Sequence, residues 1–278
     1  MIFEDLGKEL KKDTFGQFGI GLTILFVIVA TLCPFIAQDP DAHSILTFQP
    51  PSSNHWLGTN DVGQDVWSRV LWGVRTSLLI ALGVGLLTTA FSTTIGVTAA
   101  LVGGAYEIVV MRIIDALLAI PTVVVLIVIS AFIKPDIFML IVLISSLHWQ
   151  GGARILRSQT LAVKNQLHIL AAKTFGAGRL HIILRHILPE LGPILIVSFI
   201  YTARMAVFIE AGLAFIGISD PSTISWGRMM YHSAKFYYLP VWKWWLLPPG
   251  FALSLLIVGF TFLGYSLERV LEPRLKDA

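Results

Sequence analysis

The sequence predicts an all-α, polytopic membrane protein of about six transmembrane helices, and three observations carry that expectation. First, the 278 residues are 55% hydrophobic and only 13% charged, with a mean hydropathy of +0.77. A soluble domain carries about 25% charged residues. Second, the apolar runs are long and continuous instead of alternating, which favours helices over a barrel. Third, Lys and Arg are unevenly distributed between alternate connecting segments, as expected of a chain oriented by its cytoplasmic positive charge.

The elements follow in order. Residues 1–16 mix acids and bases and read as a cytoplasmic tail. The apolar run after them is long enough to span, and Cys33-Pro34 is not a small-residue cleavage site, so no cleaved signal is expected. Residues 17–278 form one transmembrane domain with spans at about 17–37, 77–102, 108–132, 137–157, 190–216 and 245–268. The third opens with Glu107, Arg112 and Asp115 ahead of Pro121, and Arg112 and Asp115, three apart, can interact on one helical face. In the fourth, the apolar stretch 137–147 is short and Gly151-Gly152 is expected to interrupt it.

Six spans place both termini on one side. With the N-terminus inside, 13 of the 20 Lys and Arg fall in inner segments, and the other seven are Arg69, Arg75, Lys134, Arg204, Arg228, Lys235 and Lys243. The outer segments are then 38–76 and 217–244, and residues 158–189 form a cytoplasmic loop. Trp56, Trp67, Trp72, Trp226, Trp242, Trp244 and Trp245 all lie in or beside the outer segments, which suggests interfacial positions. Residues 66–72 could form a short amphipathic helix on the membrane surface.

Several function classes are excluded. There is no GxxxxGK[ST] loop, so ATP, if used, is bound elsewhere. No HExxH and no Ser, His and acid grouping points to catalysis. His43 and His55 lack a third metal ligand, Cys33 has no disulfide partner, and a net charge of +3 does not suggest nucleic-acid binding.

Four stretches stand out. Residues 162–190, AVKNQLHILAAKTFGAGRLHIILRHILPE, are polar within a greasy chain. Residues 163–174 fit one short helix, Gly176-Ala177-Gly178 a break, and 179–188 a second helix, with Pro189 beginning the next span. Small Ala171 and Ala172 would allow such a knob to sit closely in a partner's groove, while Lys173, Arg179 and Arg185 charge it. Residues 50–69, PPSSNHWLGTNDVGQDVWSR, carry turn glycines Gly58 and Gly63 and a potential helix cap, Asp65. Residues 210–217, EAGLAFIG, precede 225–230, SWGRMM. Glu210 and Arg204 are ionisable at membrane depth, where such groups face an interior or a water-filled path. Six apart on a helix, they are not expected to pair. The fourth is 111–121, MRIIDALLAIP, placed to fix the inner end of span three.

These stretches resemble motifs of the permeases of peptide and nickel ABC importers. In 162–190 the resemblance is to the cytoplasmic loop patterned Glu-Ala-Ala, three residues, Gly, nine residues, Ile-x-Leu-Pro. Ala171, Ala172, Gly176, Leu188 and Pro189 fall on the pattern, Leu170 replaces the Glu, and Arg185-His186-Ile187-Leu188-Pro189 matches an ending common in this branch. In 50–69 it is to PPS…HWLGTDxxGRDVxSR, through His55, Trp56, Leu57, Gly58, Thr59, Gly63, Asp65 and Arg69. Asn60 stands where the family usually has Asp, and Gln64 where it often has Arg. The C-terminal Leu271-Glu272-Pro273-Arg274-Leu275 is similar to the family's LDPRLR tail.

The resemblance implies a type I importer fold in the cytoplasmic (inner) membrane of a prokaryote. It implies a homologous second permease subunit, two ABC ATPase subunits that bind ATP and Mg, and an extracytoplasmic substrate-binding protein. The cargo would be peptides, nickel or metal chelates. Leu170, Ala171, Ala172, Lys173, Gly176, Ala177, Arg179 and Pro189 would couple to the ATPase, and Arg204 and Glu210 could line the translocation path. The alternative, an ion-coupled secondary transporter, calls for ionisable groups in the middle of spans, and spans one, two and six have none.

Overall fold

The computed structural model describes residues 13–271, and the family-like tail beyond Leu271 lies outside them. The described residues are helical with no strands, apart from one isolated bridge between Thr59 and Asp65. In chain order the helices are α1 Thr14–Ile36, α2 Val66–Val102, α3 Gly104–Leu118, α4 Thr122–Ile133, α5 Ile137–Val163, α6 Leu167–Thr174 and α7 Arg179–Ile182. A π-helical turn, Ile183–Ile187, then leads to α8 Leu188–Phe215, α9 Trp226–Ala234, α10 Trp242–Trp245 and α11 Leu247–Leu271. Five stretches are long and apolar enough to cross a membrane, and the bent pair α3–α4 makes up to six, which describes a multi-pass membrane protein.

Local chemistry explains the boundaries. α1, α2, α5 and α9 each start on a side-chain cap: Asp13, Asp65, Asp136 and Ser225 accept from backbone N–H groups three residues on. At the end of α2, Lys164 Nζ reaches the Ala100 carbonyl at 2.7 Å, satisfying an oxygen that the helix leaves without a partner. The expected third span is broken at Ala119-Ile120-Pro121, where α3 and α4 meet at 72°. Pro121 lacks the N–H to continue the ladder and biases Ile120 away from helical geometry.

Three expectations are corrected. Residues 66–72 are not a separate surface helix but the first two turns of α2, with Val66, Val70 and Leu71 buried. No breaker separates them from the span, and the resulting 37-residue helix is about 55 Å long. The outer segment expected at 38–76 is therefore irregular only to 65. Gly151-Gly152 do not interrupt α5, which continues to Val163, so the loop expected at 158–189 begins at 164. As expected, Pro189 sits in the first turn of α8, where its missing N–H is tolerated, and the π turn before it lets 179–215 run as one continuous helical stretch. Finally, Trp226 and Trp245 are core residues, not interfacial ones, each at most 2% exposed.

The bundle centres on α2, which packs most extensively on α5 and then on α8, while α11 packs mainly on α1. Close approach comes from small residues, the usual solution where helices cannot use the hydrophobic effect against lipid. A Cβ on Gly96 would stand 2.5 Å from the Ala153 carbonyl oxygen and 3.0 Å from Arg157 N. Ser92 Oγ donates to the Trp149 carbonyl at 2.8 Å, and Gly152 lies against that serine. Three buried clusters follow one another along α2: one around Val66, Val74, Trp226 and Trp245, one around Val84, Ile144 and Ile209, and one around Val97, Leu156, Ile169 and Leu191.

This packing separates two neighbouring kinds of glycine. Gly96→Ala pushes a methyl into the α5 backbone and should destabilise by about 1–3 kcal/mol, as overpacking does. At Gly151 nothing lies within 4 Å of an added Cβ, so Gly151→Ala should be neutral or stabilising. Thermal unfolding of the purified variants in one detergent should show a lower midpoint for Gly96→Ala only. Equal midpoints would contradict the close α2–α5 contact.

Candidate functional site

The loop between α5 and α8 folds into a knob. α6 presents Leu167, Leu170, Ala171 and Lys173 to solvent, while Ile169, on the opposite side, is buried in the cluster with Val163, Ile182, Ile187 and Leu191. Gly176 follows the helix with a φ of +85°, a conformation that any side chain would strain, and it turns the chain toward α7. Phe175 and Leu180 are left uncovered, Phe175 at 90% exposure. Arg179 and Pro189 are exposed, and Ala172 and Ala177 are half-buried. Two ion pairs beside the knob, Arg157 with Glu107 and Arg154 with Asp115, tie α5 to α3. Asp115 thus pairs across helices with Arg154, where the sequence suggested Arg112.

Above the knob, α2, α5 and α8 enclose a cleft of about 880 Å³. Its walls combine apolar groups with Thr88, Thr89 and Ser92 of α2, His148 and Gln159 of α5, and Ser198, Tyr201 and Thr202 of α8. Glu190 of α8 and Glu268 of α11 also line it. The hydroxyls of Thr88 and Thr89 are buried and have no hydrogen-bond partner. A mixed wall of this volume suits a small ligand presenting both apolar and hydrogen-bonding groups.

Arg204 and Glu210 do not line this cleft. Arg204 donates to Thr261 Oγ1 at 3.2 Å and lies over the Tyr201 ring, so it ties α8 to α11. Glu210 is 3% exposed and hydrogen-bonds to Ser225, the cap of α9. As expected from their spacing, the two do not pair with each other.

The opposite end of the bundle is a frame built by the second motif. Thr59 Oγ1 donates to the Leu46 carbonyl at 2.7 Å and accepts from Gln49 N at 2.9 Å. Asp65 binds Ser68 N through one oxygen at 2.8 Å and His55 Nδ1 through the other at 3.0 Å. Arg69 Nη1 donates to the Pro40 carbonyl at 2.8 Å and to Asp41 at 3.1 Å. Gly58 and Gly63 have positive φ and face the backbone of Gln49 and Ser44, respectively. The two departures from the family pattern are partners of each other: Asn60 Nδ2 donates to Gln64 Oε1 at 2.8 Å, and Gln64 N donates back to Asn60 Oδ1 at 2.7 Å. Leu57 packs against the buried cluster, while Trp56 is exposed and contacts Trp67.

The third motif closes the frame. Trp226 Nε1 donates to the Val70 carbonyl at 2.9 Å, and its ring abuts Gly73. Gly227 lies directly on the Ala211 backbone. Beyond it, hydrogen bonds from Ser222 hold the Asp220 carboxyl below its usual range, and burial, then Arg228, lowers the His232 imidazole.

Sequence reasoning missed the cleft residues. Thr88 and Ser92 are four apart, and His148, Gly152, Ile155 and Gln159 follow at helical spacing, as do Ser198, Thr202 and Met205. That polar stripe within apolar spans was the available signal.

Comparisons with known proteins identify the family. Residues 92–277 match the family described as "Binding-protein-dependent transport system inner membrane component". The chain is 33% identical to a dipeptide transport system permease protein of Bacillus subtilis over 276 residues, covering 98% of this chain and 86% of the relative. It is 33% identical to a probable D,D-dipeptide transport system permease protein of Escherichia coli over 91% of this chain and 85% of that protein. It is also 28% identical to an oligopeptide transport system permease protein of Bacillus subtilis over 99% of this chain and 90% of that protein. With the family profile covering the chain from the last third of α2 onward and relatives aligning over nearly the whole length, this chain belongs to the inner-membrane permease components of binding-protein-dependent transport systems.

Proposed function

We propose that this permease carries short peptides into the cytoplasm by alternating access, as one of two homologous permease subunits driven by two separate ABC ATPase subunits. The observation that carries this reading is the pairing of a polar-walled cleft with an uncovered apolar knob directly beneath it. Peptides present backbone amides and mixed side chains, which match hydroxyl, amide and aromatic groups set among apolar walls. The peptide-transport names of the relatives support the same cargo.

The orientation follows the positive charge: the knob, with Lys173, Arg179 and Arg185, and both termini lie in the cytoplasm of a prokaryotic inner membrane. The frame at the other end then meets the extracytoplasmic binding protein. Arg204 and Glu210 serve as ties between helices and not as path residues. ATP and Mg bind the partner ATPases, whose closure moves the knob. The loaded binding protein promotes the outward state only if it binds that state more tightly.

Leu170 stands where related loops carry an acid, and its 42% exposure beside exposed Leu167 and Phe175 suits an apolar contact with the ATPase. Burying a leucine contributes roughly 1.5–3 kcal/mol. A partly solvated ion pair contributes under about 1 kcal/mol.

Two outcomes are expected. In a Cys33→Ser background, a membrane-impermeant thiol reagent should label Ser53→Cys from outside intact cells and Gly178→Cys only after the cytoplasmic face is opened. The reverse would overturn the orientation. Leu170→Glu and Phe175→Asp should each reduce co-purification of the ATPase subunit and lower ATP-driven peptide uptake in proteoliposomes. Parent-level retention and uptake in both variants would remove the knob as the docking element.

A further inference from the structure

The start of the knob helix is joined to the cleft wall on α8 by directional contacts to a single residue, Glu190. His168, in the first turn of α6, places Nε2 2.7 Å from Glu190 Oε1, in the first turn of α8. Gln166, the capping residue of α6, donates to both Glu190 oxygens at 3.3 and 3.2 Å in the amide orientation that satisfies its neighbours. Glu190 thus holds the start of the knob helix by two side chains. The same residue borders the cleft, and Ser198, Tyr201 and Thr202 of its wall follow on the same helix.

The rest of the attachment has a different character. Ile169 anchors α6 in the apolar cluster with Ile182, Ile187 and Leu191, a contact that permits sliding and rotation because apolar packing is non-directional. A hydrogen-bonded pair fixes direction. His168 and Glu190 are 47% and 27% exposed, and so open a pair adds little to stability. Its geometric consequence is larger than its energetic one.

We propose that the His168–Glu190 pair, supported by Gln166, is a coupling latch. His168 and Glu190 are positioning residues that transmit displacement of α6 to the cleft wall on α8. Without the latch, α6 moves with the ATPase while α8 lags, and ATP is hydrolysed without a matching movement of the cleft. The proposal rests on the reading of 164–187 as the ATPase-docking knob.

The test uses the assembled complex in proteoliposomes with its binding protein and a radiolabelled dipeptide as the probe. Peptide taken up is measured per ATP hydrolysed, a ratio that a purely structural contact would not alter. His168→Phe keeps a ring without a donor, and Glu190→Met keeps length without an acceptor. Each should retain the ATPase subunits and lower the ratio by about fivefold or more, the scale of coupling between sites. The double variant should fall no further than either single one, and His168→Arg, which restores a donor to Glu190, should recover most of the ratio. Parent ratios in both single variants would overturn the latch. So would losses that multiply in the double variant, failure of His168→Arg to recover, or loss of the ATPase subunits, which would make the pair an assembly contact. If the parent complex shows no ATP-driven peptide uptake, the proposed function fails and the latch with it. A coupled parent with equally coupled variants removes the latch alone.

Discussion

The close contact between α2 and α5 is the constraint on which the other parts depend. Gly96 admits the α5 backbone, Ser92 holds the Trp149 carbonyl, and Lys164 satisfies the end of α2. Each places a polar or small group where a larger apolar one would force the helices apart. The fixed pair then presents two walls of the cleft, Thr88 to Ser92 on one helix and His148 to Gln159 on the other. α8 supplies the third wall. Unlike α5, it is preceded by a π turn and carries Pro189 and Pro193, so it is the wall less bound by a regular hydrogen-bond ladder.

The two ends of the bundle are built differently. The frame of residues 38–65 and 216–246 is dense with internal hydrogen bonds: Asp65 and Thr59 each satisfy two partners, and Trp226 holds the Val70 carbonyl. The knob has few such bonds and leaves Leu167, Phe175 and Leu180 uncovered. A region with fewer internal partners and more exposed apolar surface is suited to being completed by another protein. This asymmetry places rigidity at one end and partner-dependent order at the other, with the cleft between.

Much of this was legible in the sequence because its signals are local. Long apolar runs gave the spans, Asp65 gave one helix start, and Gly176 gave the turn in the knob, while the caps Asp13, Asp136 and Ser225 went unread. The family resemblance located the frame, the knob and the end of α8. What was not legible depended on tertiary context. Gly151-Gly152 read as a break because glycine weakens an isolated helix, yet packing against α2 outweighs that preference. Residues 66–72 read as a surface helix because their partners Trp226 and Val241 lie far away in sequence. Arg204 and Glu210 drew attention by their charge, while most polar groups of the cleft, beside Glu190 and Glu268, are hydroxyls and amides whose signal is a spacing and not a residue type. Asn60 and Gln64 each looked like a separate departure from a pattern, and the structure brings them together as hydrogen-bond partners.

The central claim is that the cleft between α2, α5 and α8 opens and closes under control of a partner bound to the knob. The most direct measurement is the rate at which a membrane-impermeant thiol reagent, applied from the knob side, modifies Gln159→Cys in a Cys33→Ser complex. The account predicts rapid modification without nucleotide and strong protection when ATP is trapped with loaded binding protein. The same rate in both states would contradict it.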